Sequence, residues 1–289
     1  MSRMWKGKRV LVTGSEGLIG RELVIQLIQK KAKVAEIDIV NGHGDDISYK
    51  HMTELIFNDN KPEIVFHLAG IKGNPKMTKE RPVDFMGPML QFDTNMILAA
   101  NKHNVKSFLY TSSIAVENPE SDKYPAWAKM TAETLIEAMR IQYPKGTKYC
   151  IVRPANVYGR FDNFDNPNAM VITSLINKAL KNETLVLDRK GSQQERDLIN
   201  AKDVARNMIK IMEDMPDYPI NLCSGKETKI KDIAEIIGKE LNIPIKYKNL
   251  NIVLGPEKKI MKQNYKLNIQ YDLEKGIKEV IEYVKSQKR

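Results

Sequence analysis

Three glycines spaced as Gly14-x-x-Gly17-x-x-Gly20 stand between an apolar run, Val10-Leu11-Val12, and an amphipathic stretch from Leu18 to Lys30. A strand, a glycine turn and a helix in that order form a cradle for a pyrophosphate, closed by Ser15, Leu18 and Ile19. Gly14 can take a positive φ, Gly17 lets backbone N–H groups approach the phosphates, and Gly20 lets the helix lie against the strand. Asp38 lies near the end of the next apolar run, Val34 to Ile39, eighteen residues beyond Gly20. A carboxylate there accepts hydrogen bonds from a ribose diol. The pattern points to a dinucleotide. Loop glycines and a strand-end Asp also occur where nothing binds, but such a loop does not need the strand and helix found on either side. An anion at position 38 repels a 2′-phosphate, which favours NAD over NADP, although Lys31 and Lys33 lie nearby in sequence.

The elements that must hold these residues alternate along the chain. Strand-length apolar runs at Arg9–Thr13, Val34–Ile39, Ile64–Leu68, Phe108–Ser112 and Tyr149–Val152 are separated by helical periods near Leu18–Lys30, Met52–Asn60, Pro88–His103 and Ala126–Gln142. This alternation predicts right-handed crossovers and a doubly wound α/β domain with a parallel sheet. After Arg153-Pro154 the pattern loosens into an Asn- and Asp-rich loop, Gly159 to Asn168, at the carboxyl edge of the sheet. Later strands and helices, ending in a helix from Asp272 to Lys285, predict a smaller second lobe over the first.

Composition narrows the function classes. The chain has 289 residues, 42% of them hydrophobic, enough for a substantial core. Cys150 and Cys223 sit in apolar runs with no nearby Cys partner, which argues against a disulfide or a metal site. No apolar stretch approaches membrane-spanning length and Met1 to Arg9 lacks the centre of a signal peptide, so a cytoplasmic protein without a membrane partner is expected. The net charge of +10 is concentrated from Lys246 to Arg289, with eleven Lys or Arg against five Asp or Glu. Those residues are scattered and interleaved with acids, as on a solvated face or one that attracts an anionic substrate. They form no basic stripe with stacking aromatics, which argues against nucleic acid.

Further signatures carry a resemblance. Asp46-Ile47, His67-Leu68-Ala69-Gly70, Thr111-Ser112-Ser113, Arg153-Pro154-x-Asn156-Val157-Tyr158-Gly159, Gly191-x-x-x-x-Arg196-Asp197 and Asn221-Leu222-x-Ser224-Gly225 follow the glycine motif in order. Together they resemble the extended short-chain dehydrogenase/reductase family of NAD-dependent nucleotide-sugar epimerases and dehydratases, over nearly the whole chain. The resemblance implies a Rossmann domain (1–154 with about 197–224) and a substrate lobe (155–196 with 225–289). It implies that Asp46 and Ile47 flank an adenine and that Leu68, Ala69 and Gly70 line the nicotinamide half of the groove. It also implies that Asn156 and Arg196 hold a nucleotide diphosphate, although Arg196-Asp197 read as a plain ion pair is the competing possibility. A homodimer built on the two helices Pro88–His103 and Ala126–Gln142 is a further expectation from the resemblance.

The family pairs a tyrosine with a lysine four residues later, so that the ammonium lowers the pKa of a phenol that moves the proton of a sugar hydroxyl. Lys129 takes the lysine position, but Pro125 stands where the tyrosine belongs and Tyr124 comes one residue early. If the helix begins at Pro125 or Ala126, Tyr124 lies in the preceding turn and can swing into place, which is the preferred reading because proline favours a first helical position. If the helix begins earlier, the extra residue turns Tyr124 by about 100° and aims it away from Lys129. Ser113 resembles the residue that hydrogen-bonds the reacting sugar oxygen. Glu117 replaces a tyrosine and is either an acid/base or a solvated carboxylate. Ile114 and Ala115 occupy the places of the dehydratases' Asp-Glu pair, and Ala115 that of the cysteine of GDP-fucose synthases. What remains is transient oxidation and re-reduction at one sugar carbon, as in a 4-epimerase. A ketosugar reductase and a non-catalytic NAD-binding protein are the alternatives.

Overall fold

Nine helices and thirteen strands are found among residues 4–42, 45–71, 75–164, 169–250, 258–259 and 261–287, which this computed structural model describes. The strands are β1 (Arg9–Thr13), β2 (Lys33–Ile37), β3 (Ile64–His67), β4 (Ser107–Thr111), β5 (Lys148–Pro154), β6 (Asn156–Tyr158), β7 (Leu185–Asp188), β8 (Glu195–Arg196), β9 (Leu198–Asn200), β10 (Ile220–Leu222), β11 (Thr228–Lys229), β12 (Ile245–Lys248) and β13 (Lys258–Lys259). The helices are α1 (Leu18–Gln29), α2 (Lys50–Asn60), α3 (Pro75–Glu80), α4 (Pro82–Lys102), α5 (Lys123–Gln142), α6 (Val171–Leu180), α7 (Ala201–Asp214), α8 (Ile230–Leu241) and α9 (Leu273–Gln287).

The main sheet has six strands in the order β10-β5-β4-β3-β1-β2, and all its pairs are parallel. Its central strands are buried on both faces, so they read as continuous apolar runs. On one face α1 and α7 bury Leu23, Leu27, Val204 and Met208 against Val10, Val12 and Phe66. On the other, α4 and α5 bury Met89, Met96, Ile97, Ile136 and Met139 against Leu11, Val65 and Phe108. Each such fully buried side chain contributes about 2 kcal/mol relative to exposure. A third core joins α6, α8 and α9 around Ile176, Ile237 and Ile281, apart from the main sheet.

From β1 the chain moves outward to β2 and then returns to lay β3 on the other side of β1. The connections therefore diverge between β1 and β3, and in open α/β sheets ligands bind above the carboxyl ends at such a point.

Two helix starts differ from the sequence expectation. α4 begins at Pro82 rather than Pro88, with proline in its first turn and Asp84 complementing the positive end of the dipole. Pro88 lies inside the helix. α5 begins at Lys123, running directly on from a 3-10 turn, Pro119–Asp122. Pro125 is tolerated there because the first-turn N–H groups of a helix have no intrahelical acceptor in any case.

Candidate functional site

The glycine turn closes over the carboxyl ends of β1 and β3. Gly14 has φ +68°, and a Cβ there would stand 2.9 Å from the Ala69 nitrogen and the Leu68 carbonyl carbon. A Cβ on Gly17 would lie 3.1 Å from the Gly14 oxygen, and one on Gly20 only 2.0 Å from it. The turn is thus drawn tight against both the helix and β3, with Leu18 buried and Ile19 half-buried at the helix start. Ser15 Oγ, Thr111 Oγ1 and Ser112 Oγ are buried in this region with no hydrogen-bond partner among the described residues. A backbone cradle with an unsatisfied hydroxyl in it, and two more at the carboxyl end of β4, fits a dinucleotide that brings its own acceptors and donors.

Asp38 caps a short 3-10 turn and takes the Glu16 N–H at 3.0 Å on Oδ2 and the Val40 N–H at 3.3 Å on Oδ1. Its carboxylate is therefore pinned beside the glycine turn. Asp46 is half-buried and accepts from the Ser48 N–H at 3.0 Å and hydroxyl at 2.6 Å, while buried Ile47 accepts on its carbonyl from Thr53 and Asn95. Leu68, Ala69 and Gly70 follow β3 directly, with Leu68 and Ala69 half-buried and Gly70 exposed.

Beneath this groove is a polar cluster that sequence reading missed. Asp93, on α4 and 1% exposed, accepts from Tyr110 Oη at 2.6 Å and from Lys129 Nζ at 3.4 Å, and lies 2.9 Å from His67 Nε2. His67 Nδ1 lies 2.6 Å from Thr13 Oγ1, which itself accepts the Ala69 N–H. Lys129, 6% exposed, also sits over the Tyr110 ring, 4.7 Å from its centroid. Burial pushes the Asp93 carboxyl up, but Lys129, His67 and Tyr110 outweigh it and hold it below the ordinary range. Burial pushes the His67 imidazole down against the pull of Asp93, and burial with Asp93 pushes the Tyr110 phenol well up. The cluster therefore holds a carboxylate and a neutral imidazole. Asp93 shares the apolar stripe Met89, Met96, Ile97 and Ala100 of its helix, and an acid on such a stripe was the available signal.

Tyr124 is 38% exposed in the first turn of α5. A helical residue five places before Lys129 lies about 140° round the axis from it, whereas four places would leave about 40°. The preferred sequence reading, a helix starting at Pro125 or Ala126, is corrected: α5 starts at Lys123, which puts Tyr124 and Lys129 on different faces. Ser113 caps the 3-10 turn Ile114–Glu117 and accepts the Ala115 N–H at 3.1 Å, which leaves its own O–H to donate. Glu117 is exposed but not merely solvated: Arg153 donates to it at 2.7 Å and forks onto buried Glu133 at 3.0 and 2.5 Å.

On the substrate side, Asn156 donates through Nδ2 to the Asp197 carbonyl at 3.0 Å. Arg196 donates to the Glu195 carbonyl at 2.7 Å and the Gln194 side chain at 3.1 Å. Asp197 accepts from the Ser224 N–H and hydroxyl and from the Gly225 N–H. Of the loop Gly159 to Asn168, residues 165–168 lie outside the described residues. Among the described residues no cluster of His, Cys, Asp or Glu could hold a metal, and no helix is long and apolar enough to cross a membrane. Burial pushes the Cys150 and Cys223 thiols up to about 12.

Comparison with known proteins places this geometry. GDP-L-fucose synthase 1 of Arabidopsis thaliana is 27% identical over 80% of this chain and 77% of its own length. The structure of a UDP-N-acetylglucosamine 4-epimerase from Methanobrevibacter ruminantium, in complex with UDP-N-acetylmuramic acid, is 27% identical, covers 98% of this chain and 99% of its own, and superposes with a TM-score of 0.82. A UDP-glucose 4-epimerase from Thermotoga maritima with UDP-glucose has the same fold, with TM-score 0.85 at 24% identity over 97% of this chain and 99% of its own. The model of the NAD-dependent epimerase/dehydratase family matches residues 10–223. With its glycine cradle, its pinned Asp38 and that match over most of its length, the chain belongs to the NAD-dependent epimerase/dehydratase family.

Proposed function

We propose that this chain binds NAD and a nucleotide sugar and interconverts epimers at one sugar carbon by oxidation and re-reduction. The observation that carries the reading is the tight Gly14–Gly20 cradle with the Asp38 carboxylate pinned beside it. In this reading Gly14, Ser15, Gly17, Leu18, Ile19 and Gly20 hold the pyrophosphate, Asp38 a ribose, Asp46 and Ile47 the adenine, and Leu68, Ala69, Gly70 and Lys129 the nicotinamide half. Bound NAD supplies the hydride acceptor and its reduced form the donor. Burial lowers the pKa of Arg196, and in this reading its planar guanidinium takes a sugar-nucleotide diphosphate, an anion it suits by bidentate contact. Asn156 flanks it, and Ser113 donates its hydroxyl to the reacting sugar oxygen.

Tyr124 supplies the acid/base after the first turn of α5 unwinds. That turn is weakly held: Asp122 makes no side-chain cap bond, and a residue preceding proline is disfavoured in helical conformation. Releasing Lys123 and Tyr124 leaves a helix that starts at Pro125, and the phenol can then swing toward Lys129. The absence of acids at Ile114 and Ala115 disfavours dehydration. A non-catalytic NAD-binding protein is the second reading, favoured by the azimuth of Tyr124 in the first turn of α5. The test is binding of NAD and NADP by calorimetry, followed by incubation of the NAD-loaded protein with UDP- and GDP-sugars. NAD preferred by about tenfold and epimer formed without added cofactor support the proposal. Strict consumption of NADH or NADPH points to a ketosugar reductase, and NAD binding with no conversion points to the second reading.

A further inference from the structure

We propose that Asp93 is the positioning residue for Lys129, a buried counter-ion that fixes the ammonium under the groove and ties it through His67 and Thr13 to the glycine turn. A carboxylate closed off from water is costly unless its lone pairs are taken by donors, and three side chains on three different elements converge on this one. Tyr110 comes from β4, Lys129 from α5 and His67 from the end of β3.

One arrangement of hydrogens satisfies the whole cluster. The Ala69 N–H donates to Thr13 Oγ1, so the Thr13 hydroxyl hydrogen is left to donate to His67 Nδ1. The neutral imidazole then carries its proton on Nε2 and donates it to Asp93 Oδ1 at 2.9 Å. Tyr110 and Lys129 both donate to Oδ2. The sole acceptor at the end of this chain of donors is Asp93, and the other charged group in direct contact with it is Lys129. The lysine is consequently held from below by a carboxylate, with the Tyr110 ring beneath it at 4.7 Å, before any phenol from α5 reaches it.

Removing the carboxylate leaves a buried ammonium without its counter-ion, which drives the side chain out toward water. The experiment is amine acetylation of the ligand-free protein by acetic anhydride, followed by peptide mass spectrometry, in wild type and Asp93→Asn. In the wild type Lys129 should react about tenfold more slowly than exposed Lys123 and Lys145. In Asp93→Asn the Lys129 rate should rise about tenfold, with Lys123 labelling and the far-UV spectrum unchanged, and NAD affinity should fall about tenfold. A folded Asp93→Asn protein in which Lys129 stays protected overturns the proposal. Should Asp93→Asn fail to fold, the double variant Asp93→Asn/Lys129→Met decides: recovered folding supports the ion pair, and a double variant that is also unfolded overturns it. The consequence for NAD affinity rests on the dinucleotide reading above, whereas the placement of Lys129 does not. Wild-type protein that binds no NAD defeats that reading and leaves the labelling result standing.

Discussion

The glycine turn and the start of α5 both lie at the carboxyl edge of the sheet, yet they obey their sequence in different ways. At the turn, function resides in backbone N–H groups and in missing side chains, so three spaced glycines between a strand and a helix are nearly sufficient to define it. At the start of α5, function depends on the direction of one side chain around a helix axis, where a single residue changes the azimuth by about 100°. A motif written in backbone therefore tolerates drift that a motif written in side chains does not.

The largest effect separating the two regions comes from the turn. Gly20→Val sets a Cβ 2.0 Å from the Gly14 oxygen, and NAD affinity should fall at least about 100-fold by calorimetry with helical content retained. An affinity within a few fold of wild type would remove the cradle as the cofactor site. The start of α5 is sharpened by exchanging its two residues, Tyr124→Pro with Pro125→Tyr. This sets the phenol four places before Lys129 without any unwinding, and turnover should rise about tenfold, within the range general acid–base catalysis provides. Unchanged turnover would mean that azimuth does not limit the reaction.

The smallest effect lies at the opposite, amino edge of the sheet and serves as a control. Glu63 is held down to about 2 by Lys8, with Lys106 and the Arg9 N–H adding to it against burial. Because its folded pKa lies below the ordinary 4.5, the stabilisation is full above that value and is lost as the pH falls toward about 2. Glu63→Gln should lower the melting temperature by about 2 °C at pH 7, with the gap closing below pH 4 and NAD affinity unchanged.

The alternation of apolar runs and helical periods made the parallel sheet and its carboxyl-edge groove legible, because doubly buried strands are continuous in Val, Ile and Leu. Gly14, Gly17, Gly20 and Asp38 were legible for the same reason, as local signals fixed by a strand and the helix after it. Where α5 begins was not, since a proline in any of the first three helical positions satisfies the same rule. The Asp93 cluster was hidden because its members are scattered from Thr13 to Lys129 and only the packing of α4 and α5 on the sheet joins them. Glu117, which the sequence left between an acid/base and a solvated carboxylate, pairs with Arg153 only once β5 is in place.

The role of Tyr124 as acid/base is decided by turnover of NAD-loaded wild type and Tyr124→Phe on a panel of UDP- and GDP-sugars, followed by NMR of the sugar ring. Epimer formation by the wild type and a loss of at least about 100-fold in Tyr124→Phe are expected. Equal turnover by the two proteins, or none by a wild type that holds NAD, would contradict that role.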